Sequence, residues 1–310
     1  MTKVLTTQKG FLRDYPDLVA KLKENGFETE EVEHSELTDH IEDAVGLMVG
    51  TEKVGRELIE KAKALKVISR YGIGYDAIDL KAASERGIVV TNAPGCNSNA
   101  VAELTIMDML YCSRNIYRMN QGLRSKKKVR PLGTQIEGKK LGIIGVGTIG
   151  SIVALKCRAL GMEVWCNDIK DKDEFYQKNG LVKAEKEEIY RNCDIITVHV
   201  PKTELTAGMI DREQIEMMKE DVILINTARG GIINETALYD ALSEGRIRAA
   251  ALDVSVEEPA FDNPLVQLDN CLFTPHAGAS TYEAYQMMHS MAVDNLIEVL
   301  KTGTSVNKVN

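Results

Sequence analysis

The sequence predicts an α/β protein of two domains, each built on a parallel sheet, and three observations carry that expectation. Short apolar runs alternate with amphipathic stretches along the whole chain, the pattern of repeated strand–helix units. A glycine-rich turn, Gly145-Val146-Gly147-Thr148-Ile149-Gly150, stands where one such run hands over to a helical pattern. The length of 310 residues exceeds one small core and suits two.

Taken in order, residues 3–6, 46–49, 66–69 and 88–90 read as strands, with helical patterns over residues 17–25 and 54–63 between them. That is a small flavodoxin-like sheet. One long helix is expected over about residues 99–123, then a Lys/Arg-rich loop through Pro131 and a new strand from Lys139. The change of domain is placed at this helix, so residues 99–281 form the second domain. The amphipathic stretch 282–300 returns to the first, which is then discontinuous and made of residues 1–98 and 282–310.

Composition excludes several classes of function. A formal net charge of −8 with no basic domain argues against a nucleic-acid partner, since such affinity comes from clustered Lys and Arg. No uncharged apolar run reaches the roughly 20 residues that span a bilayer, and no secretory signal opens the chain, so a cytoplasmic protein is expected. The six cysteines are scattered without a C-x-x-C pair, which favours reduced core thiols over disulfides or zinc ligands.

The glycine turn is G-x-G-x-x-G between a strand at 141–144 and a helical pattern at 151–160. Gly145 permits the tight turn, Gly147 lets backbone N–H groups approach a pyrophosphate, and Gly150 lets the helix lie close on the strand. The next strand, 163–166, leads to Asp168, 18 residues beyond Gly150 and close to where a ribose-binding acid is expected. A Rossmann domain binding NAD follows. A carboxylate there accepts hydrogen bonds from a ribose diol and repels a 2′-phosphate, so NAD is expected over NADP.

Three polar residues follow later apolar strands: Arg229 after 222–226, Glu258 beyond 249–254 and His276 beyond 271–274. Open α/β sheets place ligands at such strand ends. Reduction of a 2-oxo acid needs a cation for the carboxylate and carbonyl, a proton donor for the new alkoxide, and a group that keeps that donor charged. Arg, His and Glu meet those needs, with an ionised Glu favouring protonated imidazole. Spacing alone does not establish the trio.

The runs Asn226-Thr227-Ala228-Arg229-Gly230-Gly231, Ala250-Ala251-Leu252-Asp253-Val254 continuing to Glu257-Glu258-Pro259, and Thr274-Pro275-His276-Ala277-Gly278-Ala279-Ser280-Thr281 resemble the D-isomer-specific 2-hydroxyacid dehydrogenase family. So do Val198-His199-Val200-Pro201, Tyr71-Gly72-Ile73-Gly74-Tyr75-Asp76 and Asn97 through Glu103-Leu104, and the resemblance covers nearly the whole chain. It implies a catalytic Arg229 and a proton-relay pair Glu258 and His276. It further implies Asp253 near the nicotinamide carboxamide, NAD contacts from Thr148, Ile149, Val200, Thr227, Ala228 and Gly278, and a substrate carboxylate cradled by the amides of Gly72, Ile73 and Gly74. His199 is read as structural, and His34, His40 and His289 as surface or packing residues.

Ser69-Arg70-Tyr71-Gly72 and the His-Ala-Gly-Ala-Ser-Thr run are similar to the phosphoglycerate dehydrogenase branch, in which Arg70 would face a substrate phosphate. The expected substrate is therefore D-3-phosphoglycerate or 3-phosphohydroxypyruvate. Two departures stand against it: Gly50 occupies a position usually Arg in that branch, and the chain stops at Asn310 without the branch's regulatory extension, so serine feedback is not expected. Lys126-Lys127-Lys128 with Arg124 and Arg130 offers either a substitute anion-attracting loop or a solvated charge run. Glyoxylate, hydroxypyruvate or branched 2-oxo acids are the enzymatic alternatives, and an NAD-sensing corepressor-like protein is the alternative of another class. The resemblance also implies a homodimer through the long helix, whose Met107, Met109, Leu110 and Tyr111 suit either a partner face or core packing.

Overall fold

A computed structural model describes residues 2–310 and holds two parallel sheets. The chain divides into two compact units, residues 1–97 with 280–310 and residues 98–279.

In the first unit, strands β1 (Thr2–Thr6), β2 (Phe27–Glu31), β3 (Gly46–Val49), β4 (Val67–Arg70) and β5 (Val89–Thr91) line up in the order β2-β1-β3-β4-β5. This is the flavodoxin-like order, with its reversal of direction between β1 and β3. Strands β3 and β4 are apolar runs because both sheet faces are covered, and Leu47, Val49 and Ile68 are fully buried. Strand β2 was not expected from the sequence. Its run Phe-Glu-Thr-Glu-Glu is charged at three of five positions, which suits an edge strand and defeats an apolar-run criterion. The helix Tyr282–Thr302 packs on β3, β4 and β5, burying Met288, Ala292, Val293 and Leu296. Two of its residues tie into the unit by hydrogen bonds: Ser69 Oγ donates to Ala292 O at 2.7 Å, and Asn295 Nδ2 to Asn92 O at 2.9 Å.

In the second unit, β6 (Lys140–Ile144), β7 (Glu163–Asn167), β8 (Val182–Lys183), β9 (Ile195–Val198), β10 (Ile223–Asn226), β11 (Ala249–Leu252) and β12 (Cys271–Phe273) form the order β12-β11-β10-β9-β6-β7-β8. Counted from β6 this is a Rossmann sheet extended by one strand, with the switch of direction between β6 and β9. Every residue of β9, β10 and β11 is buried.

The expected single helix over residues 99–123 is two helices, Ser98–Arg114 and Ile116–Arg124. Asn115 between them is left-handed at φ 52° and donates Nδ2 to Leu132 O. Asn tolerates that conformation better than most residues, so the hydrophobic pattern runs on while the backbone turns. The apolar cluster on the first helix is divided likewise: Met109 is fully buried, while Met107 and Leu110 are exposed. All six cysteines are free, and among the described residues no helix is long and apolar enough to cross a membrane.

Candidate active site

Strand β6 ends in the glycine turn, and the three glycines there are demanded by different neighbours. Gly145 has φ +95°, and a Cβ on it would stand 2.5 Å from the His199 carbonyl oxygen. A Cβ on Gly150 would overlap the Gly145 carbonyl. Gly147 is different, because a Cβ there meets nothing within 4 Å. The chain itself needs the first and third glycines and leaves the second facing open space, at the N-cap of the helix Thr148–Ala159, where Gly147 and Thr148 are exposed. That is the opening a pyrophosphate requires, at the positive end of a helix with free N–H groups. Asp168, just past β7, accepts from Val146 N–H at 2.7 Å on one oxygen and from Lys170 N–H at 2.8 Å on the other. One donor per oxygen leaves acceptor capacity on both for a diol. The residues present therefore fit a dinucleotide.

At the other side of the switch point, the loops after β10, β11 and β12 bring Arg229, Glu258 and His276 into one unit. His276 donates from Nδ1 to Glu258 Oε2 at 2.7 Å, so Nε2 is the nitrogen left for other chemistry. Burial works to raise the Glu258 carboxyl, but the hydrogen bond and charge of His276, the Ser255 N–H and the charge of Arg229 outweigh it and hold the group below its ordinary value. His276 itself sits at φ 53°, a sparsely populated conformation for a residue with a side chain, which surrounding bonds must sustain. They come from Asp253. Its backbone carbonyl accepts from His276 N–H at 2.8 Å, one carboxylate oxygen accepts from Thr274 Oγ1 at 2.6 Å and Ala277 N–H at 2.7 Å, and the other from Gly278 N–H at 2.8 Å. Asp253 thus clamps the turn carrying the imidazole. Burial holds its carboxyl above the ordinary value despite the three donors.

Arg229 is placed by its own turn. Asn226, the last residue of β10, donates Nδ2 to Arg229 O at 2.9 Å and accepts from Ala228 N–H at 3.0 Å, while Arg229 Nη1 donates to Ala228 O at 2.7 Å. Thr227 Oγ1 is 2.9 Å from Thr105 Oγ1. A Cβ on Gly230 would overlap the Ser255 carbonyl, so the Arg229 and Glu258 loops touch through a glycine. Val200, half-buried, follows β9. His199 beside it has Nε2 3.1 Å from Thr197 Oγ1, and desolvation pushes its imidazole down to about 4.

In the first unit the loop after β4 is folded onto Arg70. Its guanidinium donates Nε to Gly74 O at 2.9 Å and Nη1 to Tyr71 O at 2.6 Å, and a Cβ on Gly72 would lie 2.7 Å from Nη1. Asn92 Nδ2 donates to Ile73 O at 2.8 Å. The Gly72 amide is taken by Arg70 O at 3.0 Å, because the chain makes a three-residue turn at Tyr71, while Ile73 and Gly74 make no backbone bond through their amides among the described residues. Beside this loop, a Cβ on Gly50 would lie 2.8 Å from Glu52 Oε2 and 3.0 Å from the Tyr71 ring. An acid and a phenol fill the space where a second cation was sought. Lys126–Lys128 and Arg124 are all exposed.

The remaining histidines lie outside these loops. His289 stacks on Tyr15 and Tyr71 at ring separations of 4.4 and 4.8 Å, His40 bonds Glu30, and His34 is exposed.

Sequence reasoning overlooked four residues. Gly230 and Glu52 act through proximity that no spacing reveals. Glu235 reads in sequence only as the residue after a helix cap. Asp108 carried a visible signal, an acid inside the apolar stretch 105–111. It is 1% exposed with neither carboxylate oxygen hydrogen-bonded, and burial, with the charge of Asp253, pushes its carboxyl up to about 8.

Residues 106–278 match the family model of the D-isomer specific 2-hydroxyacid dehydrogenase NAD-binding domain. A D-3-phosphoglycerate dehydrogenase of Methanocaldococcus jannaschii is 46% identical over 89% of this chain and 53% of its own length. A hydroxypyruvate reductase of Thermotoga maritima is 40% identical over 88% of this chain and 90% of its own. The solved D-lactate dehydrogenase of Aquifex aeolicus, complexed with NAD and lactic acid, is 28% identical with a TM-score of 0.87, covering 99% of this chain and 100% of that one. The chain spans about half the length of the curated phosphoglycerate dehydrogenases it matches. By its NAD-binding domain and by these relatives, the chain belongs to the D-isomer specific 2-hydroxyacid dehydrogenase family.

Proposed function

We propose that the protein transfers a hydride between NAD and C2 of a small D-2-hydroxy or 2-oxo acid, with residues 98–279 as the NAD-binding unit and residues 1–97 with 280–310 as the substrate unit. The observation that carries this is the 2.7 Å bond from His276 Nδ1 to Glu258, beside Arg229. NAD supplies the hydride acceptor or donor, and the chain does the rest. Arg229 holds the substrate carboxylate and polarises the carbonyl. His276 gives the proton on Nε2 to the oxygen that becomes the hydroxyl, and Glu258 keeps the imidazole oriented and balances its charge. The amides of Ile73 and Gly74 receive the carboxylate. Gly147, Thr148, Ile149, Val200, Thr227, Ala228 and Gly278 would contact NAD, with Asp168 as acceptor for the ribose diol and Asp253 near the nicotinamide carboxamide.

For the substrate, the name of the 46% identical relative supports D-3-phosphoglycerate. The geometry favours the second reading, glyoxylate or hydroxypyruvate. Arg70 commits two of its donors to loop carbonyls, and the Glu52 carboxylate rather than a second cation stands beside Gly50, which weakens the support for a phosphoryl tail. The exposed Met107 and Leu110 fit a homodimer contact. The test is NADH oxidation with glyoxylate, hydroxypyruvate and 3-phosphohydroxypyruvate at one ionic strength. A higher kcat/KM for the unphosphorylated acids is expected; a preference for 3-phosphohydroxypyruvate restores the phosphoglycerate reading. NADH binding without turnover of any of them makes the protein a sensor.

A further inference from the structure

We infer that Glu235 is a positioning residue for the proton relay, acting through the loop that carries Glu258; this rests on the relay proposed above. Glu235 is the first residue of the helix Glu235–Ser243, capped by Asn234, whose side chain accepts from the N–H groups of Thr236 and Ala237. Because that cap satisfies the helix end, the Glu235 carboxylate is available elsewhere. It bridges the two ends of one loop: Oε1 accepts from Val256 N–H and Oε2 from Asn263 Nδ2, both at 2.7 Å. Asn263 in turn caps the short turn Pro264–Gln267 through Leu265 N–H.

The other bonds of this segment are local, Ser255 Oγ to Glu257 O at 2.5 Å, Phe261 N–H to Pro259 O and Asn263 N–H to Ala260 O, and its first residues lie against Gly230. Val256 and Phe261 are 60% and 81% exposed, and Glu257, Glu258, Pro259 and Asp262 are exposed as well. A groove of about 390 Å³, bordered by Thr236, Tyr239, Pro259 and Pro264, separates the helix from the loop. Apolar packing anchors the loop at its ends, where Val254 and Leu265 are buried, and across the gap between them two charge-assisted hydrogen bonds hold it. Glu258 lies two residues beyond the clamped amide, and its own tether, Ser255 N–H to Oε1 at 3.2 Å, starts one residue before it. Releasing Val256 frees the segment on which the 2.7 Å bond to His276 depends. Shifts of an ångström in such geometry are costly to proton transfer while leaving the distant glycine turn intact.

The test is a double-mutant cycle on the full chain with NADH: wild type, Glu235→Ala, Glu258→Gln and the double variant, each with kcat for 2-oxo acid reduction, NADH Kd by fluorescence, and a pH profile. Glu235→Ala is expected to lower kcat about tenfold, as for a lost charge-assisted contact. It should leave NADH Kd unchanged and move the acid limb of the profile to higher pH as Glu258 loses its partner. In the Glu258→Gln background the same change is expected to cost less than about twofold, since both act on one element. Glu235→Gln, which keeps an acceptor for Val256 N–H but sets a donor against Asn263 Nδ2, should recover part of the rate. Should Glu235→Ala not accumulate as folded protein, Asn263→Ala removes the far end of the bridge and carries the same comparison. An equal loss in both backgrounds, or a Glu235→Ala rate within twofold of wild type, overturns the inference. Full turnover by Glu258→Gln instead overturns the relay itself.

Discussion

The loops after β10, β11 and β12 and the loop after β4 are both strand-end loops rich in glycine and charge, yet they use their charges in opposite ways. In the first set, backbone and buried polar groups do the bracing. Asp253 clamps the His276 turn and Asn226 clamps the Arg229 turn, and the His276 Nε2 is left available. Arg229 commits a bond of its own, Nη1 to Ala228 O, whereas in the second loop the arginine braces through two nitrogens, with Tyr71 O and Gly74 O on its guanidinium. A group braced by others keeps its chemistry; a group that braces has part of its hydrogen-bonding capacity committed. The proton-handling end thus follows from its motifs, and the specificity end depends on where one side chain turns.

Four substitutions break or sharpen that contrast, in descending order of effect. Arg229→Ala is expected to lower kcat/KM by about 2 to 4 kcal/mol of transition-state stabilisation, because the carboxylate and carbonyl lose their cation. Steady-state kinetics at saturating NADH read it, and an unchanged kcat/KM removes Arg229 from the relay.

Asp108→Leu tests the cost of polar burial in the same unit. With the folded-state carboxyl raised to about 8 against an ordinary value near 4, the stability of the protonated form is complete below pH about 4 and drains away as pH rises toward 8. The leucine variant escapes that loss. Its advantage in urea unfolding should grow from pH 4 to pH 8 and then level off. An advantage independent of pH contradicts an uncharged Asp108.

Arg70→Ala should lower kcat/KM roughly tenfold for phosphorylated and unphosphorylated substrates alike, as loosening a binding loop does. A loss confined to 3-phosphohydroxypyruvate shows instead that the guanidinium meets the phosphate. Asp168→Ser is expected to narrow the NAD over NADP preference several-fold with little change in turnover, because the repulsion of a 2′-phosphate is removed while Val146 and Lys170 N–H groups keep a partial acceptor. NADPH preferred by the wild type contradicts that role.

How much of this was legible in the sequence follows the same divide. The Rossmann turn was readable, because glycines at fixed spacing report local backbone constraints; Arg229, Glu258 and His276 were singled out by strand-end position and family resemblance together, since spacing alone does not establish them. The α/β class and most strands came from apolar runs buried on both faces. Strand β2 escaped because an edge strand tolerates charge, and the break at Asn115 because its side chain imposes a left-handed turn without interrupting the apolar pattern. Arg70 was read only as a ligand contact, whereas a side chain of that length also reaches its own backbone, as its bonds to Gly74 O and Tyr71 O show. Glu235 and Gly230 matter through segments about 20 to 30 residues away, which no local pattern records.

The central claim is that His276 moves the proton while the glycine turn holds NAD independently of it. It is tested most directly by His276→Ala, measuring NADH Kd and the single-turnover rate of NADH oxidation with hydroxypyruvate in the same preparation. The account predicts a Kd within twofold of wild type and a rate lower by about 10² to 10⁴. A near-wild-type rate would contradict it.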